Sequence, residues 1–328
     1  MRIRITRNLV LAAVTILLML ATALSQRQMA DPNFKATVER PAYKDKHPKV
    51  VLDEAHSNFH TADGRYKPFA DLVRSDGYQV EAGTKKFSKE TLTGAEVLVI
   101  ANAGAPQAAG NTVPPAFTDD ECAAVRDWVR GGGSLLLIAD HAPFGSAAEI
   151  LSKQFGVDMG KGFVFDLKNS DGGPTTLVFS QQNGLLGDHP LLRGREPSEE
   201  VKRVVSFTGQ SLSVPPGATA LMKLSPSARE PLTREAAQSA LEKLNQASGD
   251  SVATPEAPTA GGRAQGIAMT FGKGRVVMLG EAAMFSAQVV RIQDGTEERE
   301  FKMGMNLPGN DDRQFALNVL HWLSGLLK

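Results

Sequence analysis

The chain is expected to fold as an α/β protein: a flavodoxin-like three-layer sandwich with a mainly parallel sheet and an antiparallel β extension. Three stretches predict this. Val50-Val51-Leu52 runs into Asp53-Glu54-Ala55-His56-Ser57-Asn58-Phe59-His60, Leu135-Leu136-Leu137-Ile138-Ala139 into Asp140-His141, and Val276-Val277-Met278-Leu279-Gly280 into Glu281. A short apolar run that stops abruptly in acids and histidines is the pattern of a buried strand emptying into a loop. Were the three strands parallel in one sheet, their polar ends would meet at its carboxyl edge, where open α/β sheets bind ligands.

The elements follow in order. Phe69, Leu72 and Val73 repeat at helical spacing, and Gly77 stands where a left-handed cap ends a helix, so a helix is predicted over 66–76. Residues 78–81 read as a second strand, and 96–101 as a buried third leading into Asn102, a further polar residue for the edge. Thr118-Asp119-Asp120-Glu121 has capping-box spacing. Cys122, Val125 and Val129 form the apolar face of the helix it starts, and Gly131-Gly132-Gly133 ends that helix before a strand at 134–139. A helix over 147–155 closes at Gly156.

From 160 to 224 the texture changes to short β-prone runs at 163–167, 176–180, 201–208 and 218–224, which form the expected antiparallel extension. Residues 225–262, rich in Ser, Ala, Pro, Glu and Gly, read as a flexible insertion with one amphipathic helix near 232–245. Gly272-Lys273-Gly274 between strands at 266–271 and 275–280 signals a hairpin. A polar loop is then expected up to Asn310-Asp311, either of which could cap a final helix. Phe315, Val319, Trp322, Leu323 and Leu326 form that helix's apolar stripe; Gln314, Asn318 and His321 share the opposite face, and His321 reads as solvated.

Composition narrows the function classes. The 328 residues carry 36 Lys+Arg and 36 Asp+Glu, so no global charge favours nucleic acid or an anionic membrane. Cys122, the only cysteine, excludes an intrachain disulfide and a cysteine-based zinc cluster, and it reads as a core residue. Arg2, Arg4 and Arg7 precede an apolar run over 9–24, and Ala21-Thr22-Ala23 has signal-peptidase spacing. Residues 1–25 are therefore an export signal, either cleaved or kept as a membrane anchor, for a periplasmic or extracellular protein. Residues 26–47 are polar without periodicity and read as a leader or tether, with the folded domain over 48–328.

The Gly-rich turn feeding Leu-Leu-Leu-Ile-Ala-Asp-His, and the closing Gly-Arg-Val-Val-Met-Leu-Gly-Glu before a last helix ending His-Trp-Leu, resemble the class I glutamine amidotransferase-like superfold. More narrowly, the order resembles the trehalose-utilisation-like branch, labelled DUF4350, whose domain type is shared with gliding-motility and intraflagellar-transport proteins. The resemblance covers 48–328 apart from the insertion. It implies a cysteine in the sharp turn after the strand at 134–139, completed by a His-Glu pair. This chain has Asp140-His141-Ala142 there, which removes cysteine-dependent glutamine amidotransfer. The resemblance also implies binding or assembly roles, since members of that branch commonly lack the cysteine.

The candidate catalytic residues are Asp53, Glu54, His56, Asp140, His141 and Glu281; Asn58, Asn102 and Asn310 are candidates for orienting a substrate. His56 and His60 stand four apart and would face one way in a helical turn, so with Asp140 and His141 they form a candidate site for zinc, manganese or a similar divalent ion that activates water. A metal-free version pairs one carboxylate with His56 or His141. Gly209-Gln210-Ser211-Leu212-Ser213 lacks the second glycine of a serine-nucleophile elbow, and no phosphate-cradling glycine motif occurs, so no nucleotide cofactor is expected. His47 and His189 read as turn residues. The plain alternative is that the polar strand ends satisfy one another. Two functions remain open: a hydrolase-like or ligand-processing domain acting on a polar, carbohydrate or cell-wall-derived molecule, and a non-catalytic domain that binds a ligand or a protein partner.

Overall fold

The computed structural model describes residues 26–104, 113–246, 257–294 and 297–328. The export signal expected over 1–25 and the middle of the 225–262 insertion lie outside the described residues. The elements are β1 (Gln26–Ala30), β2 (Lys49–Asp53), α1 (Lys67–Ser75), β3 (Gln79–Gly83), β4 (Val97–Ala101), α2 (Asp119–Gly131), β5 (Ser134–Ile138) and α3 (Phe144–Lys153). There follow β6 (Thr176–Ser180), α4 (Pro190–Arg193), β7 (Arg203–Phe207), β8 (Thr219–Lys223), α5 (Arg234–Gln246), β9 (Ala264–Phe271), β10 (Gly274–Leu279), β11 (Ala287–Asp294), β12 (Glu297–Gly304) and α6 (Asp312–Leu323).

The expected fold class is the one found. A seven-stranded sheet runs β3-β2-β4-β5-β10-β9-β8, its first five strands parallel and β9 and β8 added antiparallel. The parallel five follow the doubly wound flavodoxin order, with the reversal of strand order between β2 and β4. Side chains alternate across the sheet as a pleat requires. Val97, Val99, Leu136 and Ile138 face a core shared with α1 and α6, while Leu98, Ile100, Leu135 and Leu137 face one shared with α2 and α3. The capping box of α2 forms as expected, and Cys122 is fully buried beneath it, its thiol pushed up to about 12 by burial and neighbouring acids.

The antiparallel extension is divided. The runs at 176–180 and 201–208 pair as β6 and β7, whereas 218–224 joins the main sheet as β8. Phe165 in the 163–167 run makes an isolated bridge to Arg229. That bridge also corrects the reading of 225–262. The helix expected there is α5, and the described residues on either side are pinned, with mutual amide bonds between Phe165 and Arg229 and with Glu230 N donating to Pro258 O at 2.8 Å.

Residues 26–47 are likewise not a loose tether. Gln26–Ala30 pairs antiparallel with β11, and β11 with β12, in a separate three-stranded sheet. The β11–β12 hairpin occupies most of what reads as a polar loop after Glu281. Residues 31–43 then run as a strap across the ends of α1 and α6: Val38 N donates to Ser75 Oγ at 2.8 Å, Ala42 N to Asp76 Oδ1 at 2.8 Å, and Arg313 to Thr37 O at 2.7 Å. Gly77, at φ +97°, lets Tyr43 cross, since a Cβ there would collide with the Tyr43 carbonyl.

His321 is a third correction. It is buried, and its Nε2 meets Asp76 Oδ2 at 2.6 Å, because α1 and α4 flank α6 and leave its second face no solvent. Asp76 therefore serves both the strap and the last helix. Asp76→Ala leaves His321 and the Ala42 amide without partners, and chemical denaturation should show a loss of about 3–5 kcal/mol, as for other broken buried pairs, with 31–43 becoming protease-sensitive. A loss below about 1 kcal/mol, the range of an exposed pair, would contradict this arrangement.

Candidate functional site

Four neighbouring parallel strands, β2, β4, β5 and β10, end at one edge, and the polar residues that follow them divide into two groups. The first surrounds His56. Its Nδ1 lies 2.8 and 2.9 Å from the two Asp53 oxygens, and its Nε2 lies 2.8 Å from Glu121 Oε1. Carboxylates only accept, so both nitrogens must donate, and the imidazolium form satisfies all three groups. Phe87 and Phe117 pack on the ring at centroid distances of 4.4 and 4.8 Å. Asn58 donates to Asp53 Oδ2 at 2.9 Å and accepts from His56 N at 3.0 Å, which closes the loop.

Glu121 is the residue that the sequence pattern assigns only a local purpose. As third residue of α2 it accepts from Thr118 N and Thr118 Oγ1, both at 3.0 Å, completing the capping box. Its other oxygen reaches His56 and the Phe87 amide. Burial opposes its ionisation, yet the bonds from His56 and Thr118 prevail and hold it at about 2.

The second group surrounds Asp140 and Glu281. β5 and β10 are in register at Ile138 and Leu279, so Asp140 and Glu281, each two residues further on, stand side by side. The Asp140 carboxylate accepts from the amides of His141, at 2.7 Å, and Ala282. Glu281 is fully buried and accepts from Ala283 N at 2.6 Å and Met284 N at 2.8 Å. Neither acid is paired with a Lys or Arg among the described residues. Burial raises both, and Asp140 raises Glu281 further, well above the ordinary carboxyl value. The Tyr66 hydroxyl, donating to Ala282 O at 2.7 Å, is itself raised by burial and by these two acids.

Asn102 joins the groups. In the left-handed region at φ +51°, it accepts from Asp140 N through Oδ1 and from Phe59 N through its carbonyl, both at 2.9 Å. His141 donates from Nδ1 to Ala142 O at 2.8 Å, so in the neutral ring the lone pair falls on Nε2, and the ring stacks on Phe163. Glu54 accepts from Ala62 N at 2.8 Å and shapes the loop after β2. Asn310 is occupied in the approach to α6, donating to Gly304 O and accepting from Asp312 N, and does not reach the strand ends.

Among the described residues no group of three His, Cys, Asp or Glu is placed to hold a metal ion. The expected set of His56, His60, Asp140 and His141 does not converge, for two reasons. Both His56 nitrogens are committed, and Ser57 at φ +53° breaks the helical turn that would have aligned His56 with His60. His60 instead stacks on Tyr66 with Nδ1 buried and unpartnered, and burial with the nearby Arg65 charge lowers it to about 3. His47 and His189 hold turns, the first donating to Gly77 O and the second accepting from Leu191 N.

No family model and no curated protein matches the sequence. Among solved structures, the N-terminal domain of mmIFT52 is 13% identical, with a TM-score of 0.52 over 84% of this chain and 97% of that one. This likeness shows the fold alone. A ThuA-like protein from Bacteroides uniformis is 15% identical, with a TM-score of 0.42 over 86% of this chain and 94% of that one. PurLQS from Thermotoga maritima is 11% identical, with a TM-score of 0.37 over 85% of this chain and 100% of that one. At those scores the latter two carry no argument.

The Glu121 bonds give a signed expectation. A carboxyl lowered from 4.5 to about 2 contributes stability that is present above 4.5 and disappears as the pH falls through about 2. Thermal melts of Glu121→Gln should therefore fall short of wild type at pH 6, with the deficit shrinking between pH 4.5 and 2. His56→Ala, which strands two buried carboxylates, should cost about 3–5 kcal/mol at neutral pH.

Proposed function

We propose that this protein is an exported domain of the class I glutamine amidotransferase-like superfold, of the trehalose-utilisation-like branch labelled DUF4350, that binds a polar molecule at its carboxyl edge and hydrolyses it without a cysteine. The observation that carries the reading is the Asp140–Glu281 pair. Burial raises both acids although His141 beside Asp140 opposes the shift there, neither is paired with a Lys or Arg among the described residues, and a raised, partly accessible carboxyl is suited to act as a general acid. In this scheme Asp140 gives its proton to the leaving oxygen of the substrate. His141 Nε2 takes a proton from the attacking water, whose hydroxide completes the product, and transfer of that proton back to Asp140 restores the site. Glu281, fully buried and raised further by Asp140, is the member of the pair that holds its proton more tightly.

The Asp53–His56–Glu121 group is assigned a positioning role, since neither imidazole nitrogen is free to exchange a proton with substrate. Export rests on Arg2, Arg4, Arg7 and the apolar run over 9–24; among the described residues no helix is long and apolar enough to cross a membrane. A second reading, a non-catalytic binding or assembly domain, is favoured by the three-stranded sheet of β1, β11 and β12, which is separate from the main sheet and whose outer strands β1 and β12 each pair on one side only.

The two readings separate in the Asp140→Asn variant. Asn keeps the acceptor for the His141 amide but cannot donate a proton as an acid. Because the Asp140 carboxyl is raised in the folded protein, its contribution to stability is present below the ordinary 3.8 and is lost as pH rises through the raised value, so wild type should lose stability relative to the variant as pH rises above about 4. Against panels of glycosides, esters and amides, it should lose about 10²–10⁴-fold in turnover, the usual contribution of a general acid. Wild-type protein that captures a ligand or partner and turns over nothing in these panels would establish the second reading.

A further inference from the structure

Arg65 lies half-buried in the loop between β2 and α1, and among the described residues its guanidinium meets no carboxylate and no other hydrogen-bond acceptor. Burial already disfavours its charge. More exposed arginines are better supplied, since Arg40, Arg74 and Arg130 each have a carboxylate at 2.7–3.0 Å. The acids near Arg65 do not serve it: Asp71 pairs with Lys67 and Arg74, Glu54 accepts from the Ala62 amide, and Asp63 is exposed without an ion pair among the described residues. What supports the guanidinium is a ring. Its Cζ lies 4.2 Å from the centroid of Phe59, a residue 37% exposed. Stacking occupies a face of the guanidinium and leaves the in-plane N–H edge, which is the edge that grips a carboxylate or phosphate through two parallel bonds.

This platform is tied to the strand ends. The Phe59 amide donates to Asn102 O, and Asn102 Oδ1 accepts from the Asp140 amide, both at 2.9 Å. His60 stacks on Tyr66 at 4.5 Å, and Tyr66 donates to the carbonyl of Ala282, the residue after Glu281. A second hydrogen-bonding atom is open here, because His60 is only 3% exposed and its Nδ1 has no partner. α1, two residues after Arg65, begins with no side-chain cap and no acid in its first turn, so the positive end of its dipole is not offset. Phe59 also packs on Phe144 at 5.9 Å. Pro143, just before Phe144, walls a cleft of about 760 Å³ together with Phe163, Glu230, Leu232 and Arg234, a volume within the range of small-molecule sites.

We infer that Arg65, stacked on Phe59, is the anchor for an oxyanion, so that the ligand of the carboxyl edge carries a carboxylate or phosphate group held by the in-plane edge of the guanidinium. A cation partly stripped of water and given no acid is half of an ion pair, and a ligand anion completes it. A neutral ligand would leave it as it stands. The inference rests on the proposed binding at the carboxyl edge, but Arg65 has no part in the proton transfers, so binding and turnover can be tested apart.

Isothermal titration calorimetry of the full chain with benzoate, phenyl phosphate and benzamide compares a carboxylate, a phosphate and a neutral amide on one ring. At least one anion should bind, and the tighter of the two identifies the group the site prefers. Arg65→Gln should weaken that anion by at least about tenfold, or 1.4 kcal/mol, and Arg65→Lys, which keeps the charge without the fork, should recover part of the loss. The Arg65 Nε–H resonance of the wild-type protein, which should move saturably with the anion and not with benzamide, keeps the test valid if Arg65→Gln fails to fold. Binding of neither anion, equal binding of benzamide, or anion binding that Arg65→Gln retains would overturn the assignment. So would anion binding lost in Arg234→Gln instead, whose guanidinium lies over Phe163 in the cleft. Anion binding without turnover would leave the anchor standing and remove the hydrolytic reading; turnover with no anion bound at Arg65 would do the reverse.

Discussion

Four carboxyl groups gathered under little solvent at one sheet edge must be neutralised, and the way this is done organises the molecule. Asp53 and Glu121 share the imidazolium of His56, which ties the loop after β2 to the start of α2. Asp140 and Glu281 have no such shared clamp. Burial raises both, His141 opposes the shift at Asp140, and Asp140 raises Glu281 further, well above the ordinary carboxyl range. The two pairs therefore differ in kind although they sit on neighbouring strand ends. One is a closed ionic clamp, and the other is a pair of raised carboxyls close to an open cleft.

That division also explains how one edge combines a tied loop with open space. The clamp lies where the strand order reverses between β2 and β4, the crevice in which doubly wound folds commonly seat a ligand. Here the Phe87 and Phe117 rings and the His56 imidazole fill it. Accessible space is displaced toward β5, where Asp140 and His141 turn into α3 and where α5 and the residues around Arg229 wall the cleft. The segment that reads as a flexible insertion thus contributes directly to the site.

Much of this was legible in the sequence, and the failures have physical causes. The three apolar runs ending in acids placed Asp53, Asp140 and Glu281 at one edge, because parallel strands leave no other choice. Glu121 was not legible as a partner of His56: its capping-box spacing accounts fully for a local purpose, and the bond to His56 spans 65 residues. The pairing of His56 with His60 failed at Ser57, whose positive φ has no signature in residue type. Polarity misled at both ends of the chain. Gln26–Ala30 has no alternation, yet it forms a strand because β11, distant in sequence, offers an edge. His321 lies on the polar face of α6, and that face is covered by α1, α4 and the strap, so a histidine that reads as solvated becomes half of a buried pair.

The central claim is that burial and the neighbouring Asp140 raise the Glu281 carboxyl well above its ordinary range. Carbon-13 NMR of the side-chain carboxyl carbons, assigned with Asp140→Asn and Glu281→Gln and followed across pH, tests it directly. The account predicts two linked transitions, with the Glu281 transition well above the ordinary carboxyl range and shifted downward when Asp140 is replaced. Independent titration of both groups at ordinary carboxyl values would contradict it.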